Sequence, residues 1–247
     1  MRQIFLVFIL LAFFQGIRAQ ADTSYLYFDN AWSPTGKANA IYYKKIFEEK
    51  NEWHRQDFWA KTNTMKMDGV YGDSSLKIKN GVFKAYYENG VLADSAYFEH
   101  GKEKFIHVFN EDHIPKAYAA YDKDGNIMEQ RGWDESGKEI PGYIYQKVAE
   151  FPGGADEWQH YIIVELQKNL PRGLKKGQMW GNVVVSFLIL EDGSIDDIKV
   201  AQSSGYPELD YHATNIIRNS PKWIPAIQFN RNVIYQQKQT LTYLKPE

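Results

Sequence analysis

Very little in this 247-residue chain is arranged like a reaction centre. It has no cysteine, which removes thiolate nucleophiles, disulfides and a lipid-bearing N-terminal cysteine together. The six histidines, His54, His100, His107, His113, His160 and His212, never fall into an H-x-x-x-H pair, the spacing that sets two imidazoles on one helix face around a metal. Ser203-Ser204-Gly205 lies between a strand-like and a helix-like stretch, but the G-x-S-x-G of a nucleophile turn is absent. Asp192, Asp196 and Asp197 gather near one turn; they can be read as a calcium site, though a solvated turn is the plainer reading. Phe151-Pro152-Gly153-Gly154 leads into a helix, whose first N–H groups can cradle an anion. The sequence thus predicts no enzyme, no metal and no cofactor.

The remaining chemistry is that of main chain. A strand is expected from about Asn232 to Leu244, with Val233, Tyr235, Gln237, Gln239, Leu241 and Tyr243 on one side and Ile234, Gln236, Lys238, Thr240, Thr242 and Leu244 on the other. Its ends are apolar and its middle is polar. An unpaired strand edge offers N–H and C=O groups to which an extended peptide can add. Six main-chain hydrogen bonds at about 1 kcal/mol each stand against about 1–2 kcal/mol per residue for ordering the peptide. Backbone pairing therefore comes out near zero or worse, and affinity must come from side chains. The plain alternative is that Lys238 and the glutamines only keep the edge soluble.

Other elements must position that strand. Val183 to Leu190 is rich in β-branched and large apolar residues, Asp192-Gly193 reads as a two-residue hairpin turn, and Ile195 to Ala201 is the return strand. Pro207 opens a helix with Leu209, Ala213, Ile216 and Ile217 on one face, and Pro221 stops it. Upstream, Trp158, Ile162, Leu166 and Leu170 step by four along another helix, ended by Pro171 and Gly173. Arg172 to Gly177 reads as an exposed basic loop, and Pro221 to Arg231 as a proline-braced connection.

The order strand, Asp-Gly turn, strand, Ser-Ser-Gly, Pro-Glu-Leu-Asp, helix, Pro-x-Trp-x-Pro-Ala resembles the C-terminal domain of TonB-type energy transducers. Phe151-Pro152-Gly153-Gly154 and Leu170-Pro171 fit the same pattern over residues 146–247. Asn230-Arg231 stands where the family usually has Asn-Gly. The resemblance implies strand addition along Asn232, Val233, Ile234, Tyr235, Gln236, Gln237, Lys238, Gln239, Thr240 and Leu241 by the N-terminal box of a TonB-dependent outer-membrane receptor, or by another periplasmic protein. The family's long Pro-rich spacer has no counterpart among nine scattered prolines.

Residues 20–145 are dense in Tyr, Phe and Trp and dotted with Gly. Gly81 to Leu92, Phe109 to Ile114, Tyr121 to Ile127 and Trp133 to Ile140 share a pattern of aromatic, polar residues, Gly or a substitute, then an aliphatic. Each reads as strand, tight turn, strand. Over about residues 58–140 these units are similar to MORN-type repeats, which imply no particular substrate. The aromatics invite a carbohydrate-binding reading, against which stands the simpler one of filling a thin β core. Ala38 to Asp57 reads equally as a helix or a strand pair.

The N-terminus has Arg2, an apolar run from Ile4 to Phe14 and Gly16-Ile17-Arg18-Ala19. About eleven residues span roughly 16 Å as a helix, against about 30 Å of hydrocarbon. A signal peptide over residues 1–19, cut between Ala19 and Gln20, is expected, and with it a periplasmic chain. A net charge of −2 gives no footing for nucleic acid. The expected fold is α+β: an antiparallel β meander built from repeats, then a three-stranded antiparallel sheet with two helices. Two other readings stay open: an uncut N-terminal anchor making the chain a membrane-bound energy transducer, and a homodimer formed through the last strand.

Overall fold

The computed structural model describes residues 23–245; the expected signal peptide, with Ala19 and Gln20, lies outside them. Aromatic and β-branched residues alternating with polar ones from Ser24 onward build nine antiparallel strands in sequence order. They are β1 (Ser24–Phe28), β2 (Tyr42–Glu49), β3 (Glu52–Trp59), β4 (Met65–Tyr71), β5 (Lys79–Tyr86), β6 (Leu92–Glu99), β7 (Lys102–Phe109), β8 (Pro115–Tyr121) and β9 (Ile127–Gly132). Of the stretch from Ala38 to Asp57, a single 3-10 turn at Lys37–Asn39 comes first and the rest, from Tyr42, is the strand pair β2–β3. The chain forms two compact units. One takes in the described residues up to Gly90 with Tyr97–Lys102, the other Val91–Ala96 and the described residues from Glu103 on.

One turn recurs along the chain. At Asp29, Asn110, Asp122 and Asp134 a side-chain oxygen accepts the N–H groups two and four residues on. The residue three on is left-handed: Trp32, His113, Gly125 and Gly137. This is a type I turn closed by a left-handed residue, with an Asx cap. The strand–turn–strand reading of the units holds in these hairpins, and His113 takes at φ 60° the place glycine fills elsewhere. The first unit's rings stack on one another across strands, as Tyr43 does on Phe58 with centroids 4.7 Å apart.

In the second unit the end of the meander is packed by residues 143–145. Tyr143 and Tyr145 are buried with Ala117 and Ala119. Gly132 leaves room for the Tyr143 ring, since a Cβ there would lie 2.1 Å from it. The Tyr145 N–H donates to Gln130 Oε1 at 2.8 Å.

The C-terminal region has helix α1 (Gly154–Gln167), a short helix α2 (Arg172–Lys175), strands β11 (Gly181–Ile189) and β12 (Ile195–Gln202), helix α3 (Pro207–Arg218) and strand β15 (Tyr235–Tyr243). Its sheet runs β12-β11-β15. Val183, Val185, Phe187 and Ile189 project from the central strand into the core with Leu209, Ala213, Ile217 and Leu241. A second small sheet joins β10 (Gln146–Lys147), β13 (Ala226–Gln228) and β14 (Arg231–Val233).

Three expectations are corrected here. The Asp192-Gly193 hairpin is a three-residue turn: Leu190 N–H donates to the Ser194 carbonyl, Gly193 N–H to the Leu190 carbonyl, and only Gly193 is left-handed. The segment from Arg172 is no exposed loop but α2, with Gly173 and Leu174 buried. Pro221 to Arg231 is more than a connection, because Phe229 and Asn230 both turn left-handed and fold β13 onto β14.

Candidate functional site

The site is built from beneath by aromatic packing. Phe151, Trp158, Tyr161, Phe187 and Trp223 form a chain of ring contacts with centroids 4.8–5.8 Å apart. The Phe-Pro-Gly-Gly lead-in, helix α1, strand β11 and the Pro-x-Trp-x-Pro stretch thereby share one core. Tyr161 is pushed up to about 12 by burial and then by Glu165, and its hydroxyl donates to the Ile216 carbonyl at 2.9 Å, tying α1 to α3. Gly193 completes the arrangement: its carbonyl accepts the Trp223 N–H at 2.8 Å, and a Cβ on it would lie 2.0 Å from the Trp223 oxygen.

The two outer strands of the C-terminal sheet differ in kind. β12 meets β11 with two register shifts, and Asp197 within it is left-handed at φ 49°. Bulges and charges of this sort block a strand edge. β15 meets β11 in unbroken register over nine residues, from Ile189↔Tyr235 to Gly181↔Tyr243. Among the described residues no strand pairs with its other flank. Along β15, Tyr235, Gln237, Gln239, Leu241 and Tyr243 are half-buried or buried while Gln236, Lys238, Thr240 and Thr242 are exposed, the alternation expected of a sheet covered on one face.

The expected edge residues do not all lie on that strand. Tyr235, Gln236, Gln237, Lys238, Gln239, Thr240 and Leu241 are in β15. Asn232 and Val233 are in β14, paired with Ile227 and Ala226, and the Asn232 side chain donates to the Glu191 carbonyl at 2.9 Å. Ile234 stands between the strands, 57% exposed. What the spacing of residues did not reveal is the support under the edge. The Trp158 indole N–H donates to Gln239 Oε1 at 2.8 Å, and the other end of that amide donates to the Thr240 carbonyl at 2.8 Å. His212 spans the Lys168 carbonyl and the Tyr243 hydroxyl, 2.7 and 2.8 Å away, at the far end of the strand.

The other candidate residues are engaged with one another. Asp210 accepts from Ser203 Oγ at 2.5 Å and from the Ser204 N–H and Oγ at 2.9 Å each. Partial burial works against its charge, but these hydrogen bonds outweigh that and hold its carboxyl below its ordinary value. Ser-Ser-Gly and Pro-Glu-Leu-Asp are therefore two halves of one helix entry. Asp192 accepts from Lys222 and Ser194, which keep it far below the usual carboxylate range. Asp196 accepts the Asp197 N–H, and Asp197 pairs with Lys199. Gly153 and Gly154 are both left-handed and set the start of α1, where Gly154 N–H closes on the Phe151 carbonyl at 2.8 Å.

Residues 167–243 match the family described as Gram-negative bacterial TonB protein C-terminal. That stretch carries a TonB-like C-terminal domain, of a kind that binds other proteins and does no catalysis. The match starts at the last residue of α1, although α1 packs into the same core. Comparison with curated proteins gives no match. Among the described residues no helix is long and apolar enough to cross a membrane.

Proposed function

We propose that this chain is a periplasmic binding protein that receives an extended segment of a TonB-dependent outer-membrane receptor as a fourth strand beside β15. The observation that carries the reading is the contrast between the two edges: one bulged and charged, the other straight for nine residues and without a strand partner among the described residues. The match of residues 167–243 supports the partner class. On the helix-facing side of β15, Leu241 and Tyr243 are buried, so the half-buried Tyr235, Gln237 and Gln239 are the side chains left to add to backbone pairing. The meander serves as a MORN-type module carried by the same secreted chain, after removal of residues 1–19.

The test is a titration of peptides copied from receptor N-termini into the isotope-labelled chain lacking its first nineteen residues. Backbone amides of Tyr235–Tyr243 move, and those of Ile195–Gln202 stay. Stationary β15 amides at millimolar peptide would sink the assignment.

A further inference from the structure

The N-terminal unit carries a second candidate site, independent of β15. Strand register brings Tyr42 opposite Trp59 and Lys44 opposite Asp57, with Met67 beyond Asp57 and Ala85 beyond Met67, so these side chains share one face. A cleft of about 640 Å³ opens there, lined by Trp32, Lys44, Arg55, Asp57, Lys66 and Tyr86 among others. It is shallow and open to solvent, with room for a ring laid against its wall.

The charges in the cleft do not balance. Asp57, 3% exposed, is consumed by Arg55, whose Nε and Nη2 donate to its two oxygens at 2.9 and 2.5 Å. The two lysines are set over rings, and Lys44 also feels the Asp57 carboxylate opposite it. Lys44 Nζ lies 4.4 Å from the Phe28 centroid and 5.1 Å from that of Trp32. Lys66 Nζ lies 4.7 Å from the Trp59 centroid and 5.3 Å from that of Tyr42. No carboxylate of the described residues forms an ion pair with either. Burial, and next the Arg55 charge, lower the Lys44 pKa, and the Asp57 carboxylate across the strand pair offsets them only in part, a deficit that an arriving anion would relieve.

The wall of the cleft is as particular as its charge. Trp32 is left-handed at φ 59°, a conformation bulky residues rarely adopt. It is held so by Asp29, whose Oδ1 accepts from Ala31 and Ser33 N–H groups at 2.9 Å and whose carbonyl accepts the Trp32 N–H at 3.1 Å. The indole lies flat on Tyr42, centroids 4.6 Å apart and planes 4° from parallel, and stays 39% exposed. An aromatic wall beside two ammonium groups that rest on rings without an ion pair suits a ligand with an apolar ring face and a negative charge. A free inorganic anion would leave the wall unused, and a neutral sugar would leave the charges unmet.

We propose that this cleft binds an acidic sugar, a pyranose carrying a carboxylate, within an oligosaccharide. The ring lies against Trp32, and Lys44 and Lys66 turn off their rings to hold the carboxylate.

The experiment titrates trigalacturonate, a glucuronate-containing disaccharide, methyl-esterified trigalacturonate and acetate into the full chain, reading tryptophan fluorescence and calorimetry. At least one of the two acidic sugars binds, the methyl ester is weaker by about tenfold or more, and a Lys44→Gln/Lys66→Gln double variant with an unchanged circular dichroism spectrum loses about tenfold. Lys175→Gln, in α2, changes nothing. The proposal is overturned if neither acidic sugar binds at about 10 mM. It also falls if ester or acetate binds as tightly as the acid, or if the folded double variant binds undiminished.

Discussion

The indole N–H of Trp158 donates to the side-chain oxygen of Gln239 across 2.8 Å, from the helix beneath the sheet to the outermost strand. Gln239 is half-buried and faces that helix, so its amide oxygen is partly withdrawn from water and gains from this donor. Trp158→Phe keeps the ring stack and removes the donor, which should cost about 1 kcal/mol in urea denaturation. Gln239→Leu should cost a similar amount. The double variant should show a coupling of about 0.5–1.5 kcal/mol; strictly additive losses would mean that the bond does not hold the strand.

Gly193 answers two demands at once. Its φ of 82° is one that alanine resists, and the Trp223 oxygen occupies the place of its missing Cβ. Gly193→Ala must therefore move the Pro-x-Trp-x-Pro backbone away from the hairpin and disturb the ring cluster around Trp223. The expected loss is about 2 kcal/mol or more. Glycine-to-alanine at Gly125, φ 88° with nothing within 4 Å of a new Cβ, meets only the backbone penalty of about 1 kcal/mol. If the two variants melt together, the close approach to Trp223 carries no weight.

Asp210 should give the C-terminal domain an acid-sensitive contribution. Its carboxyl is held below its ordinary value in the folded chain, so folding binds fewer protons there than the unfolded chain does. The contribution is complete above the unfolded carboxylate value near about pH 4 and fades as pH falls through the lower folded value. Asp210→Asn keeps the shape and removes this titration. Its stability should lie below that of the parent at neutral pH, and the gap should narrow as pH drops from about 5 to 2. A gap of constant width would assign the loss to shape and not to charge.

What could be read in advance followed periodicity. The alternation of Tyr235 to Tyr243 and of Val183 to Ile189, and the apolar face of α3, depend only on side-chain period. The turns were readable where glycine marks them, at Gly125, Gly137 and Gly193. They were hidden where another residue adopts the same backbone. Lys50-Asn51 joins β2 to β3 with both residues left-handed, and no glycine announces it. The acidic-sugar cleft was out of reach for another reason. Trp32, Lys44, Arg55 and Lys66 come together only through pairing of β2, β3 and β4 and through the Asp29 turn.

Phe229 is the sharpest case of a turn hidden in this way, and it can be tested. It is left-handed at φ 51°, opening the β13–β14 turn where a small residue would be at ease. Its ring meets Tyr145 edge-on at 5.3 Å and lies under Lys116 Nζ at 4.9 Å, while its N–H donates to the Tyr145 carbonyl at 2.8 Å. Packing against the end of the meander thus offsets a backbone cost of about 1–2 kcal/mol. Alanine removes the ring and keeps the cost, whereas glycine removes both. Phe229→Gly should therefore be more stable than Phe229→Ala by about 1 kcal/mol in chemical denaturation, the reverse of their order at a right-handed site. Should Phe229→Ala prove the more stable of the two, the ring is not holding a strained turn, and the hairpin that leads into β15 is set by Asn230 alone.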